Sequence, residues 1–155
     1  MLQNKKALCL FVIIFYCLIF AVWFFFDSQA EISVGMTYAD FTKSVPEDRF
    51  FEYLEYGFSS DRKGNLYVVR FENEKIAEYQ VFKSGAIDKS ADTFSSIPTG
   101  TSIFELVRLI GLPVGTGTFG MPSLLFESGN GDCYIVYLDT TDPHNLCVAE
   151  IALQD

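Results

Sequence analysis

Apolar residues are arranged in two different ways along the chain. Residues 7–26 form an unbroken apolar run of 20 residues without a charge, whereas residues 27–155 alternate short apolar stretches with polar turns. A helix rises about 1.5 Å per residue, so the run reaches roughly 30 Å, enough to cross the hydrocarbon of a bilayer. The pattern predicts a cytoplasmic stub and transmembrane helix at residues 1–26, followed by an α+β domain at residues 27–155.

The charges beside the apolar run predict its orientation. Lys5 and Lys6 precede the run, and Asp27 follows it. The positive-inside rule then places the N-terminus in the cytoplasm and the following domain outside. The alternative is a secreted protein after cleavage near Ala30, because Ser28 and Ala30 are small residues at the spacing of a signal peptidase site. A retained anchor is favoured, since a signal h-region is typically about 7 to 15 residues.

An internal similarity divides the domain. Residues 32–45 match residues 97–110 with every position shifted by 65, including a Gly-x-[Thr/Ser]-x-x-[Asp/Glu] motif. Residues 64–71 match residues 131–138 at a shift of 67. The order of the matched segments is the same in both halves, which indicates a tandem duplication.

The matches predict two copies of one unit, at residues 32–83 and 97–153, joined by a polar linker at residues 84–96. A unit of about 65 residues would be marginally stable alone. We therefore expect the two copies to share one hydrophobic core.

Each copy is predicted to begin with a short helix. Thr37 and Ser102 each precede a carboxylate by three residues, Asp40 and Glu105, which is the spacing of a capping box. Val45-Pro46 and the segment Gly111-Leu-Pro113 are typical helix ends.

Each helix is followed by strand-like segments separated by turns, which predicts a three-stranded antiparallel sheet in each copy. The predicted strands of the first copy are residues 51–58, 66–71 and 76–82, and those of the second are residues 124–126, 133–138 and 147–153.

Strand alternation predicts the register of the last two strands in each copy. The expected pairs are Arg70 with Glu78, Phe71 with Ala77, Tyr137 with Glu150, and Leu138 with Ala149. This register places Cys133 and Cys147 on opposite faces and far apart along the ladder. Because a disulfide requires Cα atoms within about 7 Å, both are expected to remain free thiols.

The same alternation predicts a candidate partner-binding face. Val68, Arg70, Ile135 and Tyr137 occupy outward positions of the predicted register. Arg and Tyr are favoured at the centres of protein interfaces. The alternative is that these residues only cover a half-exposed sheet.

The net charge limits the possible partners. Residues 27–155 contain nine Lys and Arg against 20 Asp and Glu, a formal charge of −11. We therefore do not expect the domain to bind nucleic acid through its phosphates. The charge also opposes docking on anionic lipid, apart from membrane contact through residues 7–26.

No pattern in the chain predicts an enzyme, a cofactor or a metal site. The segment 115–120 matches G-x-G-x-x-G, but it follows a helix and precedes a strand, the reverse of a dinucleotide-binding loop. His144 is the only histidine and lies in a turn sequence. Asp139, Asp142 and Asn145 could chelate calcium, but they lack the spacing of a calcium loop and are better explained as a solvated turn.

The domain resembles a known superfamily. A Gly-[Met/Thr]-[Thr/Ser] turn before a capped helix, a Gly-x-Pro stop and a final Val-Ala-Glu-like strand are similar to the SmpA/OmlA and beta-lactamase-inhibitor-protein-like superfamily. The segments 32–37 and 111–113 carry most of the likeness, which covers nearly all of residues 32–153. The chain departs from the lipoprotein members because it lacks their lipidated cysteine, and from the secreted inhibitors because its anchor is expected to be retained.

The resemblance implies an extracytoplasmic, non-catalytic domain whose sheet face or loops bind a protein. We therefore expect a membrane-anchored binding or scaffold module whose partner is an envelope or extracellular protein. One alternative is a tethered or secreted inhibitor of an extracellular enzyme, which would block that enzyme when purified. The other is a small-molecule-sensing domain, which would bind a metabolite and no protein.

Overall fold

The computed structural model describes residues 31–45, 50–117 and 120–154. The predicted transmembrane helix at residues 7–26, the cytoplasmic stub and the possible cleavage site near Ala30 lie outside this part. None of the helices within it has the length and apolar character needed to span a membrane. The described architecture is therefore α+β without a membrane-spanning helix, in contrast to the predicted fold class.

The first copy contains one helix and a four-stranded antiparallel sheet, called the first sheet. Its strands lie in the order β1-β2-β3-β4. The elements are α1 (Tyr38–Ser44), β1 (Phe50–Tyr53), β2 (Tyr56–Ser60), β3 (Asn65–Glu72) and β4 (Lys75–Lys83).

The segment between the copies holds a 3-10 turn (Ser84–Ala86) and a helix, α2 (Ala91–Ser96). The second copy follows with α3 and a second four-stranded antiparallel sheet in the order β5-β6-β7-β8. Its elements are α3 (Ile103–Ile110), β5 (Gly115–Thr116), β6 (Ser123–Glu127), β7 (Cys133–Asp139) and β8 (Cys147–Leu153).

Side-chain caps begin the helices of both copies where the sequence predicts them. The Thr37 hydroxyl accepts a hydrogen bond from the Asp40 backbone N–H at 3.2 Å. The Ser102 hydroxyl accepts one from the Glu105 N–H at 3.3 Å. Each cap satisfies an N–H group that has no partner inside the helix. At the other end of α3, Gly111 has φ +89°, a conformation that favours glycine.

The two copies use equivalent hydrogen bonds to attach the helix to the last strand. Gly35 N–H donates to the Ile76 carbonyl at 2.8 Å, and Gly100 N–H donates to the Val148 carbonyl at 2.7 Å. Thr37 forms a bridge with Lys75, as Ser102 does with Cys147. The turn that precedes each helix is thereby fixed to the outer edge of β4 or β8.

The prediction of three strands in each copy was wrong. The predicted strand 51–58 is a hairpin, in which β1 and β2 meet at a two-residue turn and Tyr53 pairs with Tyr56. Leu54 in that turn has φ +54°. The turn contains none of the Gly, Asn, Asp or Pro residues that normally mark one, so no local signal separates the two strands. In the second copy, the additional strand is the short β5.

The polar linker predicted at residues 84–96 contains a 3-10 turn and a helix, neither of which its sequence pattern predicts. The Ser90 hydroxyl caps α2 by accepting a hydrogen bond from the Thr93 N–H at 3.3 Å. Phe94 of this helix is only 1% exposed. Its ring stacks on Tyr134 of β7 with the ring centroids 4.1 Å apart. Ile87 also packs on the shared core, and the Asp88 N–H donates to the Leu109 carbonyl at 3.2 Å, so several contacts fix the segment on the second copy.

The predicted register is correct up to one bulge in each sheet. Arg70 pairs with Glu78 and Tyr137 pairs with Glu150, as expected. Beyond these positions Phe71 pairs with Ile76, and Leu138 pairs with Val148, so the expected pairs with Ala77 and Ala149 were wrong. The extra residue of each bulge is the alanine, and the shift turns Ile76 and Val148 into the core.

Cys133 and Cys147 are free thiols, as predicted. The prediction that they lie on opposite faces was wrong, because the bulge places Cys147 opposite Asp139, which shares a face with Cys133. They lie in neighbouring strands, but Cys147 pairs with Asp139 at the far end of β7 from Cys133. Burial and the nearby Asp139 carboxylate raise the pKa of the Cys147 thiol. The thiol therefore stays protonated and weakly nucleophilic at neutral pH.

Two apolar cores hold the described domain together. A small core between α1 and one face of the first sheet consists of Phe41, Val69, Phe71 and Ile76. The larger core, called the shared core, combines α3 with side chains of both sheets. From the first sheet come Tyr56, Phe58, Leu66 and Val68, and from the second come Leu124, Phe126, Tyr134, Val136, Leu138 and Val148.

The shared core makes the two copies unequal. Val69 and Val68 are adjacent on β3 and point to opposite faces, yet both are 0% exposed. The first sheet is thus buried on both faces, by α1 on one side and by the shared core on the other. The second sheet contributes only one face to a core of the described residues.

Candidate protein-binding surface

The face of the second sheet that points away from the shared core is the candidate surface, called here the outer face. Side chains alternate along each strand, so the positions between the core residues belong to this face. It consists of Ser123, Leu125 and Glu127 on β6, Cys133, Ile135, Tyr137 and Asp139 on β7, and Cys147, Glu150 and Ala152 on β8. At one end of the face Ser123 is only 1% exposed, and Gly117 lies close to it and to Ile135.

An apolar row crosses the middle of the outer face. Ile135 pairs with Leu125 on one side and with Ala152 on the other. Leu125 and Ala152 are half-buried, and Ile135 is 8% exposed. The next row contains Tyr137, which is half-buried and pairs with Glu150. The face therefore offers a flat apolar row beside an aromatic ring.

The charge of the outer face is of one sign. Glu127, Asp139 and Glu150 are all exposed. The strands of the second sheet contain no Lys or Arg, and the sequence from Leu109 to Asp155 contains none, against six Asp and Glu. Hydrogen bonds from Thr141, chiefly the one from its backbone N–H, lower the pKa of Asp139. This carboxylate therefore stays ionised in mildly acidic solution.

The structure does not bring the four predicted site residues together. Ile135 and Tyr137 lie on the outer face, but Val68 is 0% exposed and belongs to the shared core. Arg70 lies on the same side of the first sheet as Val68, with its side chain 13% exposed. The expectation of one exposed face was therefore wrong for Val68 and Arg70. The prediction assumed that the faces of Val68 and Ile135 are equally exposed. The shared core covers the face of Val68 and not that of Ile135.

Arg70 lies in a polar cluster between the two copies. Its guanidinium Nη1 is 3.5 Å from a Glu72 carboxylate oxygen. The same nitrogen is 3.4 Å from Nδ1 of His144 in the loop before β8. His144 Nδ1 is also 3.1 Å from a carboxylate oxygen of Glu55. His144, expected in a solvated turn, thus joins the second copy to the first, which no local pattern in the sequence indicates.

Two tyrosines complete the contact between the copies. The Tyr56 hydroxyl donates to the His144 carbonyl at 3.1 Å. The Tyr53 hydroxyl accepts a hydrogen bond from the Ser123 backbone N–H at 3.0 Å. Burial raises the pKa of Tyr56, so its hydroxyl remains a donor at neutral pH. These polar contacts hold the second sheet in place and are better explained as structural than as a site.

A groove lies beside the edge of the second sheet that β8 forms. β8 is the terminal strand, and no described strand pairs with the outer edge of its last four residues. The groove, of about 370 Å³, adjoins this edge on the side opposite the outer face. It is lined by Phe94, Ser95, Ile97, Tyr134, Ile151 and Leu153.

The other candidates from the sequence take structural roles. Asp139 accepts a hydrogen bond from the Thr141 N–H at 2.9 Å, and Asp142 accepts one from the His144 N–H at 3.0 Å, so both carboxylates close turns. Across the described ranges, no group of three or more His, Cys, Asp or Glu could hold a metal ion. Gly115 and Thr116 of the G-x-G-x-x-G segment form β5 and pair with β6.

A cleft of about 430 Å³ lies in the first copy at the start of α1. Two of its polar side chains bind each other: the Tyr38 hydroxyl donates to a Glu52 carboxylate oxygen at 2.7 Å. This hydrogen bond raises the pKa of Tyr38. The polar groups of Tyr38 and Glu52 are therefore directed at each other and not at a ligand.

Comparison with protein-family models, with curated proteins and with solved structures gave no match. The resemblance to the SmpA/OmlA and beta-lactamase-inhibitor-protein-like superfamily stays a prediction from the sequence.

Proposed function

We propose that the chain is a non-catalytic protein-binding module and that the outer face of the second sheet binds a partner with a basic surface. One observation carries the proposal: the face combines an apolar row with carboxylates, and no described helix or second sheet packs on it. Of the described residues, the segment at Gly117 lies close to its Ser123 end. The equivalent face of the first sheet is buried in the shared core. Of these two faces, only that of the second sheet is without a covering helix or sheet among the described residues.

The outer face has the composition of an interface centre. Binding would remove the half-buried Leu125, Tyr137 and Ala152 from water, and apolar burial contributes about 25 cal/mol per Å². Tyrosine is enriched among the residues that contribute most to binding. The exposed carboxylates form the polar rim that surrounds such a centre.

Electrostatics favours a basic partner. The domain carries a formal charge of −11, and the second sheet has no cation in its own strands to balance Glu127, Asp139 and Glu150. Opposite charge on a partner accelerates encounter and excludes acidic competitors. The affinity of the complex should accordingly fall as the salt concentration rises.

The location is part of the proposal. Lys5 and Lys6 precede the apolar run and Asp27 follows it, which supports membrane contact through residues 7–26 and a domain on the outer side. The partner is then a protein of the cell envelope or of the extracellular space.

Photocrosslinking from Tyr137 in intact cells tests the proposal. The full-length chain would carry p-benzoylphenylalanine at Tyr137 or, as the control, at Tyr79, an aromatic residue of the first sheet with a half-buried side chain. We expect one defined adduct from Tyr137 alone, formed with an envelope or extracellular protein that has a basic surface.

Purified components then give the affinity of the complex. Tyr137→Ala should lower it at least about tenfold, or about 1.4 kcal/mol, with little change in the melting temperature. Equal adducts from both positions, a cytosolic partner, or full affinity of the Tyr137→Ala chain would each argue against the proposed function.

A further inference from the structure

Among the described residues, one part of the outer edge of β8 pairs with the segment before α3, and the rest pairs with no strand. Val148 N–H donates to the Thr101 carbonyl at 2.8 Å, and Gly100 N–H donates to the Val148 carbonyl. Cys147 forms a bridge with Ser102. The segment before α3 therefore covers the edge only as far as Val148. Residues 150–153 continue beyond it as the last strand of the sheet.

The hydrogen-bond pattern identifies the groups at the open edge. Gln154 N–H donates to the Cys133 carbonyl at 2.8 Å, and Tyr134 pairs with Leu153. Bonded and non-bonded pairs alternate in an antiparallel ladder, so the backbone groups of Ile151 and Leu153 point away from β7. These two residues present their N–H and carbonyl groups along the outer edge.

The side chains of the same two residues line the groove beside the edge. Ile151 and Leu153 line it together with Ile97 and the stacked rings of Phe94 and Tyr134. Leu153 is 53% exposed, which is high for a leucine on the side of the sheet that faces the core. The outward backbone groups of the edge therefore lie beside a groove whose lining side chains are mostly apolar.

We propose that the partner binds by adding an extended strand to residues 150–153 of β8, with apolar residues alternating with Lys or Arg. This inference rests on the proposed function and specifies how the partner binds. Main-chain hydrogen bonds give such a strand its affinity, and pockets for alternate side chains give it specificity.

The two faces of β8 determine the alternating pattern. Side chains opposite Ile151 and Leu153 enter the groove, where the side chains of these two residues and of Ile97 favour apolar groups. Side chains opposite Glu150 and Ala152 extend the outer face, where the exposed Glu150 carboxylate favours a cation. An added strand thus continues the candidate surface across one further strand.

The equivalent edge of the first sheet is protected in a way that β8 is not. β4 carries Lys75 and Lys83 at its ends, and lysine on an edge strand opposes pairing with another chain. β8 has no lysine, and its one charged residue is Glu150. Pairing of β8 with a second copy would place two Glu150 carboxylates together and join two domains of charge −11. A basic strand from a different protein fits the edge better.

A synthetic peptide tests strand addition on the purified full-length chain in detergent micelles. The probe is the blocked peptide Lys-Val-Lys-Val-Lys-Val-Lys, and the control has the same composition in two blocks, three Val followed by four Lys. We expect the alternating peptide to bind at least about tenfold more tightly than the block peptide. Equal affinities would overturn the inference.

Backbone methylation tests the hydrogen bonds without altering the protein. One alternating peptide is N-methylated at its valines and another at its lysines. Only one set of amides faces β8, so one peptide should lose at least about tenfold in affinity and the other should keep it. Equal behaviour of the two methylated peptides would overturn the inference.

Proline variants locate the site on the chain. Leu153→Pro removes an outward N–H group without removing a bond to β7, and it should reduce binding to that of the block peptide. Val81→Pro makes the same change on the open edge of β4 and should leave the affinity unchanged. Unchanged binding by Leu153→Pro, or a dimer of the chain that Leu153→Pro disrupts and the peptide does not, would contradict strand addition.

The two proposals fail in different ways. If the peptide results contradict strand addition while the Tyr137 adduct persists, the outer face binds its partner without an added strand. If the Tyr137 adduct is also absent, the proposed function fails together with the inference.

Discussion

Leu106→Ala should lower the free energy of unfolding by about 2–5 kcal/mol, and the loss should appear in both copies. Leu106 is 0% exposed and lies on α3 in the shared core. Val68 of the first sheet and Val136 of the second belong to the same core, so the substitution should loosen packing that both copies share. Native-state hydrogen exchange of peptides from β3 and β7 measures the loss in each copy.

Leu153→Ala provides the matched control for this prediction. The substitution removes the same atoms from a leucine that is 53% exposed, so we expect a change within about 0.5 kcal/mol. If Leu106→Ala accelerates exchange in β7 and leaves β3 unchanged, the two copies have separate cores and the asymmetry of their faces loses its explanation.

Reversal of two charges on the outer face should have the largest effect on binding. Glu127→Lys with Glu150→Lys would place cations on both sides of the apolar row and repel a basic partner. Like charges brought together in an interface cost several kcal/mol, so the affinity should fall at least about a hundredfold. Titration of the captured partner with the purified full-length chain measures the change.

A second double reversal separates local contact from overall charge. Glu31→Lys with Glu74→Lys changes the net charge by the same amount at two exposed positions in the first half of the domain. This control should weaken binding only slightly, through a slower encounter. If both double variants lose affinity equally, the partner responds to the net charge of the chain and does not bind the outer face.

Local signals in the sequence account for much of the fold. Thr37 and Ser102 start the helices where the capping boxes predict, because a hydroxyl at that spacing reaches an unpaired N–H whatever the tertiary context. The pairs of Arg70 with Glu78 and of Tyr137 with Glu150 follow from strand alternation. The free state of Cys133 and Cys147 follows from the same register.

Features that depend on tertiary packing were not predictable. The turn at Leu54 takes a left-handed conformation in residues without turn preference, held by the pairing of β1 with β2. The helix α2 buries a single residue, Phe94, whose ring stacks on a tyrosine 40 positions later. A six-residue helix is marginal by itself, so the contact decides its formation.

The candidate site shows the same limit. Ile135 and Tyr137 lie on the outer face as the alternation predicts, but the equivalent position of Ile135 in the first copy, Val68, is buried. The repeat gives equivalent positions the same direction on a strand. Only the packing of α3 against both sheets decides which of them meets solvent.

Carboxyl labelling of the chain with and without its captured partner tests most directly whether the outer face is the binding surface. Glu127, Asp139 and Glu150 should react readily in the free chain, since all three are exposed, and should react several-fold more slowly in the complex. Glu74, exposed in the first copy, should react equally in both states. Unchanged labelling of the three outer-face carboxylates with protection of Glu74 would contradict the account.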